Sequence, residues 1–435
     1  MADPGRVHVK TLGCKVNQAE SDDIGREIAV LGGRAAGEDE AAVVVVNTCT
    51  VTGEADHKAR KAIRHALSRP GAPYVVVTGC LAAIDAAGVS ALGERVIVEP
   101  DKARVAARVA ALLGERPADT LRSGDGERPA DTSAPVVPER SRARVQVKVQ
   151  DGCDTFCAYC IVPHARGLPR SEPMRSVVER IARLASDGVA EVVLTGINIG
   201  RYDDGAAGLP ELLAEVAATG VRRVRISSIE PGDVTDRLLE VAAGTPSVCR
   251  HLHIPLQSGC DATLAAMRRP YDVATFAGVL ARVREALPGV AITTDVMVGF
   301  PGETDADHQA SLRFVESAGF ARLHVFRYSA RAGTPAAEAP GQVPPEVRAG
   351  RAAEMRAVGI AAAVSHGASM IGSRAELLAE RVTRGGPGEP SRAHGTTREY
   401  AHAVAPCDDA RPGDLIDIVI DAVRPDGSLE ARQQP

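Results

Sequence analysis

Up to about residue 113 the chain alternates short, nearly all-apolar runs with stretches of helical spacing. VHVKTL (7–12), AVVVVNT (42–48), YVVVTG (74–79) and RVIV (95–98) read as strands. Such unbroken β-branched apolarity is the pattern of a parallel sheet covered on both faces. Helical segments fall near 19–31, 54–69 and 101–113, so 1–113 reads as an open α/β domain. The pattern then stops. GERPADT stands at 114–120 and again at 126–132, in a stretch rich in Gly, Pro, Asp and Ser. A repeat with almost no apolar residue cannot stack a core, so 114–138 reads as a flexible linker. A second α/β run occupies 139–368, with strands near 145–150, 191–196, 223–228, 252–256, 291–298 and 323–328. Helices fall near 174–187, 209–218, 234–243, 261–269, 273–286 and 304–318. Consecutive β–α units of this regularity predict a parallel barrel or partial barrel. From 369 to 435 short alternating segments (AELLAERV, REYAHAVA, DLIDIVIDAV) separated by Gly and Pro predict a small antiparallel β module.

Composition narrows the class. With 45% hydrophobic and 25% charged residues, wholesale disorder is excluded. No apolar run approaches membrane-spanning length and MADPGRVHVK has no signal pattern, so a soluble cytoplasmic chain is expected. The net charge of −5 argues against a generic polyanion binder while leaving room for local basic patches. Aromatics are 3% and Trp is absent, which excludes extensive base-stacking surfaces. Nine cysteines in such a chain point to metal ligands or reactive thiols more than to disulfides, and an odd total cannot pair completely.

Cys153, Cys157 and Cys160 form C-x3-C-x2-C just after the strand at 145–150. Thiolates converging from one short loop are what an iron–sulfur cluster or a zinc ion requires. Three cysteines on a 4Fe–4S cluster leave one iron open to a substrate or cofactor. Structural zinc would want a fourth ligand, for which His164 is placed.

Cys14, Cys49 and Cys80 look scattered until they are set on the sheet. Each is expected one or two residues beyond the carboxyl end of a strand, and parallel strands bring those ends to one edge, where α/β proteins bind ligands. They make a second three-cysteine site; the bland alternative is three buried thiols acting as small hydrophobes.

CDTFCAYC, with an aromatic directly before its third cysteine and a six-unit β–α run after it, resembles the radical S-adenosylmethionine (SAM) superfamily. The resemblance implies that the open iron chelates the amino and carboxylate groups of SAM and that an electron cleaves SAM to a 5′-deoxyadenosyl radical. Together with TLGCKVNQAES (11–21), VNTCTVTGEA (46–55) and TGCLA (79–83), the chain resembles the methylthiotransferase family. LTGINIGRY (194–202), RISSIEPGDV (225–234), HIPLQSGCD (253–261) and GFPGET (299–304) match further motifs of that family. It implies an N-terminal cluster domain, a radical-SAM partial (β/α)6 barrel and a C-terminal barrel like the TRAM domain. It also implies two 4Fe–4S clusters, the first on Cys14, Cys49 and Cys80 and the second, SAM-cleaving, on Cys153, Cys157 and Cys160. One SAM gives the radical and another the methyl group, so that a C–H bond becomes C–S–CH3. The family acts on isopentenyladenosine or threonylcarbamoyladenosine in tRNA, or on an aspartate of a ribosomal protein. TLGCKVNQAES and VNTCTVTGEADHKARKAIR most resemble the branch that methylthiolates C2 of N6-threonylcarbamoyladenosine at position 37. An electron donor such as a flavodoxin or ferredoxin is implied, and the sulfur source is left open. A distant alternative is a non-catalytic zinc protein that binds RNA.

Further candidates follow from position. Tyr159 packs near the adenine or serves as a core aromatic. Asn198, Glu230 and Gln257 stand at strand ends facing the barrel mouth, and Glu230 or Asp295 either orients SAM or a substrate hydroxyl or caps a loop. The run 57–69 carries Lys58, Arg60, Lys61, Arg64 and Arg69 with no acid; it is a phosphate-facing helix or a solvated basic face. The RRVR stretch (222–225) is a weaker case of the same kind. The C-terminal module has eight Arg, no Lys and eleven acids over 369–435, a poor electrostatic footprint for RNA. RNA contact there would be confined to a face around Arg381, Arg384, Arg392 and Arg398. Cys249, Cys260 and Cys407 have no partner spacing and read as packing residues.

Overall fold

A computed structural model describes residues 5–114, 143–386 and 389–434. Apart from Gly114, both GERPADT copies lie outside the described residues. The chain divides into two compact units, Met1–Arg140 with Ile161–Gly167, and Ser141–Cys160 with Leu168–Pro435.

In the first unit β1 (Arg6–Thr11), β2 (Arg34–Ala35), β3 (Val43–Thr48), β4 (Tyr74–Gly79) and β5 (Val96–Val98) form one sheet in the order β2-β1-β3-β4-β5. Every pairing in it is parallel. All six residues of β3 are buried because each face is covered. Val43 and Val45 pack with Ile24, Ile28, Val105 and Val109, while Val44 and Val46 turn to Ile63 and Leu81 on the other side. The helix after β1 spans Lys15–Val30. It starts four residues earlier than its pattern predicts, because the polar residues Lys15, Asn17 and Gln18 disguise its first turn. Asn17 is buried there and donates to the carbonyls of Leu12 (2.8 Å) and Thr48 (2.9 Å). Helix Gly53–Leu67 is capped by Thr52, whose side chain accepts from the Ala55 amide at 3.1 Å.

The second unit holds β6 (Arg144–Lys148), the short pair β7 (Gln150–Asp151) and β8 (Arg170–Ser171), β9 (Glu191–Thr195), β10 (Arg223–Ile226), β11 (His251–His253), β12 (Ala291–Val298) and β13 (Arg322–Arg327). Sheets β10-β9-β6 and β11-β12-β13 are parallel and meet through single bridges, Val224 to Val248 and Ser228 to His253. The result is a six-stranded partial barrel. Val192, Leu194, Val224, Ile226 and Val296 face the outer helices in one continuous core. The opposite face of the same strands carries Glu191, Arg223, Arg225, Thr293 and Asp295, so the barrel lumen is polar. A 25-residue helix, Pro345–Ser369, follows; its Gly-interrupted, Arg- and Ala-rich sequence gives it no clear apolar stripe.

The C-terminal segment closes a small barrel from β14 (Arg374–Thr383), β15 (Arg392–Thr397), β16 (His402–Pro406), β17 (Leu415–Val423) and β18 (Leu429–Gln433), in the order β14-β15-β16-β18-β17. Its pairings are antiparallel except β16 with β18. The β15–β16 turn meets a buried ion network. Glu191 pairs with Arg144 (2.6 Å), Arg223 (2.8 Å) and Arg225 (2.9 Å), and Arg225 also donates to the carbonyls of Thr397 and Arg398, each at 3.1 Å. Tyr400 of that turn stacks on His251 with ring centroids 4.3 Å apart. Burial alone would raise the Glu191 carboxyl, but Arg225, Arg144 and Arg223 hold it down at about 2. Arg223 and Arg225 are thus interior anchors, not a basic surface. Among the described residues no helix is long and apolar enough to cross a membrane.

Candidate active site

The first three-cysteine set stands on neighbouring strands. Cys49 and Cys80 immediately follow β3 and β4, and Cys14 lies three residues past Thr11, one further than predicted because β1 ends before Leu12. With strands about 4.8 Å apart, three adjacent ends span roughly 10 Å. Glycines permit the approach: Gly13 has φ 101° and a Cβ there would lie 2.4 Å from Cys49 Cβ. Gly79 has φ 90° and a Cβ there would lie 2.3 Å from the Thr48 carbonyl oxygen. Burial pushes the Cys49 thiol up to about 11, with Cys14 and Cys80 adding to the rise and Arg166 opposing it. Burial raises Cys80 as well, against Arg166 and Lys102. The sulfurs therefore act on one another electrostatically, beside buried cations. Arg166 is anchored by Glu20 Oε1 (2.9 Å) and Asn17 Oδ1 (2.6 Å), and Lys102 by Glu20 Oε2 (2.7 Å). Sequence reasoning missed Asn17, Glu20 and Arg166, which become visible only once the fold gathers them.

In the second unit the CDTFCAYC loop follows β7 at the carboxyl end of the barrel. The Ala158 amide donates to Met267 O and its carbonyl accepts from Ala336 N, both at 2.9 Å. Gln150 fastens the loop to its neighbour: its amide donates to Gly152 O (2.8 Å) and its carbonyl accepts from Asn198 N (2.9 Å). Arg269, which no motif reading singled out, donates to Cys157 Sγ at 3.1 Å and pairs with Glu230. Burial raises both the Cys157 thiol and the Glu230 carboxyl, and Arg269 opposes each rise. Tyr159 meets Phe300 edge-on at 6.4 Å and packs, partly buried, against the cluster of Ala158, Met267, Phe300 and Tyr328. Asn198, Glu230 and Gln257 do come to the same end of β9, β10 and β11. The Asn198 Oδ1 atom is buried without a hydrogen-bond partner, an acceptor suited to an amino group such as that of SAM.

Neither cysteine set draws its sulfurs within 4.8 Å of one another, the closeness that a single ion requires; among the described residues His253, Asp295 and His324 do. Zinc at about 2.3 Å from each sulfur would need a tighter cage, so the wider spacing favours a cluster core. His164 lies exposed on the short helix Val162–Arg166, within the first unit.

Of the basic candidates, Lys58, Lys61 and Arg64 line the exposed face of helix Gly53–Leu67, and Lys58 pairs with Glu54. Arg60 is held by Asp85 and Gly88 O, and Arg69 by Asp39. Arg381, Arg384 and Arg392 are exposed, whereas Arg398 donates to the carbonyls of Val248 (3.1 Å) and Pro246 as part of barrel docking. Cys249 and Cys407 are buried, and Cys260 faces Asp307 at 3.2 Å.

Residues 147–315 match the radical SAM superfamily model and residues 6–98 the model of uncharacterized protein family UPF0004. The chain is 39% identical to the threonylcarbamoyladenosine tRNA methylthiotransferase MtaB of Bacillus subtilis, over 78% of this chain and 76% of that protein. Its counterpart in Thermotoga maritima is 35% identical, over 86% of each. A tRNA-2-methylthio-N(6)-dimethylallyladenosine synthase of Anaeromyxobacter dehalogenans is 41% identical, over 79% of this chain and 75% of that one. Among solved structures, the radical SAM methyltransferase TsrM of Kitasatospora setae shares the fold, with TM-score 0.52 at 15% identity over 77% of this chain and 75% of that one. A 4Fe–4S cluster with SAM goes with the radical-SAM fold, and a second cluster with the methylthiotransferases. Two three-cysteine sets, a six-stranded barrel and relatives matched over three quarters or more of their length converge: the chain belongs to the radical-SAM tRNA methylthiotransferase family.

Proposed function

We propose that the chain methylthiolates C2 of N6-threonylcarbamoyladenosine at position 37 of tRNA, with one SAM as radical source and a second as methyl donor. The observation that carries this reading is the pair of separate three-cysteine sites, each built at strand ends of its own unit. The names of the B. subtilis and T. maritima relatives and the TLGCKVNQAES motif support this base, while the A. dehalogenans relative is named for the dimethylallyl one.

Cys153, Cys157 and Cys160 would hold the SAM-cleaving cluster, and Cys14, Cys49 and Cys80 the sulfur-related one. When bound, these groups supply one-electron cleavage of SAM and the sulfur chemistry. The chain does the rest. Arg269 fixes Cys157 and is itself fixed by Glu230. Asn198 and Gln257 offer polar atoms at the mouth, and the Gln150 bridge keeps the cysteine loop and the Asn198 loop in register. Lys58, Lys61 and Arg64 present a cationic face for tRNA phosphates, with Arg381, Arg384 and Arg392 a second set.

The test is nucleoside mass spectrometry of tRNA from a deletion strain. Loss of the methylthio group from threonylcarbamoyladenosine alone is the expected result. Loss from the dimethylallyl base, or from neither, overturns the reading.

A further inference from the structure

Beneath the barrel mouth, three side chains from adjacent strands converge without a settled role. Asp295 on β12 is in register with His324 on β13, and His253 on β11 with Thr293. His253 Nε2 and His324 Nδ1 each lie 3.3 Å from the same oxygen, Asp295 Oδ1. Thr293 Oγ1, 2.9 Å from His253 Nδ1, fixes that ring, and the two imidazoles lie 5.5 Å apart at 29°. The backbone of Gln257 donates to the Asp295 carbonyl at 2.9 Å, so this layer sits directly under the mouth loop. Asp295 Oδ1 is closed off from solvent between the two imidazoles; burial opposes the charge, but pairing with His253 and His324 holds the carboxyl far below its ordinary range. Ser227 Oγ on the same lumen face is buried without a partner. The His324 side chain is 42% exposed, so the layer is reachable from outside.

A carboxylate held between two imidazoles, with an unpartnered Ser227 hydroxyl on the same lumen face, suits a ligand that has both N–H or O–H donors and anionic or carbonyl acceptors. A hydrocarbon chain would strip water from the exposed His324 ring and leave the Ser227 hydroxyl unpaired. We infer that His253, Asp295 and His324 form the polar subsite for the N6 substituent of the target base, admitting one with carbamoyl, hydroxyl and carboxylate groups and refusing a bare alkenyl chain. This rests on the threonylcarbamoyl reading above and names the residues that enforce it. The exposed His324 imidazole, held in place by Asp295 together with His253, donates to the carbonyl or carboxylate oxygens of the substituent. Sites built to hydrogen-bond a substrate group reject the analogue that lacks it far more strongly than apolar pockets reject an extra methylene.

The experiment uses the anaerobically reconstituted full-length enzyme with two tRNAs, one bearing threonylcarbamoyladenosine and one dimethylallyladenosine. His324→Leu and Asp295→Asn should each raise KM for the first tRNA about ten-fold or more, with kcat changed less. His324→Gln, which keeps a donor, should recover most of the loss. Iron content and melting temperature report folding, and His324 is exposed enough that its replacement leaves the core intact. Unchanged KM in both variants overturns the subsite while the proposed function stands. A wild-type enzyme active on the dimethylallyl tRNA alone overturns both. One equivalent of zinc or manganese in the wild type, absent from His324→Leu, would mark a cation site and overturn direct contact with the substituent.

Discussion

Gly13 and Gly79 do for the first cysteine set what no other residue can. Both adopt positive φ, and a Cβ on Gly13 would lie 3.0 Å from Cys49 Sγ itself. Gly13→Ala should therefore push the Cys49 turn away and lower iron in the reconstituted protein from about eight per chain toward about four, as Cys14→Ala should. Iron and acid-labile sulfide analysis checks this, and full loading of Gly13→Ala would contradict the close approach. The GC pairs at 13–14 and 79–80 were legible as cysteines near strand ends. Arg269 and Arg166 were not, since RRP and HAR carry no periodic or motif signal. Their roles arise from residues 112 and 146 positions away, Cys157 and Glu20 respectively.

Helix Gly53–Leu67 shows how an element sorts its own charges. Ala59, Ala62, Ile63 and Ala66 form the buried stripe, which leaves Lys58, Lys61 and Arg64 outward and draws Arg60 to Asp85. A double substitution, Lys61→Ala with Arg64→Ala, should weaken tRNA binding and reduce the slope of log affinity against log salt by about 1.5. Fluorescence anisotropy at several salt concentrations measures it; an unaltered slope would mean this face is merely solvated. Arg60 looked equivalent by sequence because the 57–69 run holds no acid; its partner Asp85 comes from another element, 25 positions on. The strands were legible because β-branched runs leave few alternatives. The first turn of Lys15–Val30 and the helix Pro345–Ser369 were not, since buried Asn17 in the one and scattered Gly and Ala in the other blur the 3.6-residue period.

At the scale of the molecule, Glu191 decides whether the small barrel stays seated on the lumen strands of its unit. Its carboxyl is held at about 2 against an ordinary value of 4.5. A lowered pKa contributes stability that is fully present above the ordinary value and is lost as pH falls through the folded one. Glu191→Gln should cost roughly 3–5 kcal/mol near neutral pH, because it takes the carboxylate from two buried guanidinium groups, Arg223 and Arg225, and from half-buried Arg144. The gap from wild type should then close as pH drops from about 4.5 toward 2. Denaturant unfolding across that range measures it, and a gap independent of pH would remove the carboxylate from the account. The alternation of β-branched runs with helical stretches determined by itself an α/β unit and a β–α barrel, and the C-x3-C-x2-C spacing one three-thiol loop, because local periodicity and short loops encode those directly. Cys14, Cys49 and Cys80 made a set only through the expected parallel strand ends. Only the tertiary structure decided that Arg223, Arg225 and Arg398 are interior anchors, that Arg269 belongs to a cysteine, and that His253, Asp295 and His324 share one layer. Those facts depend on which strands become neighbours and in what register, and no local pattern records that.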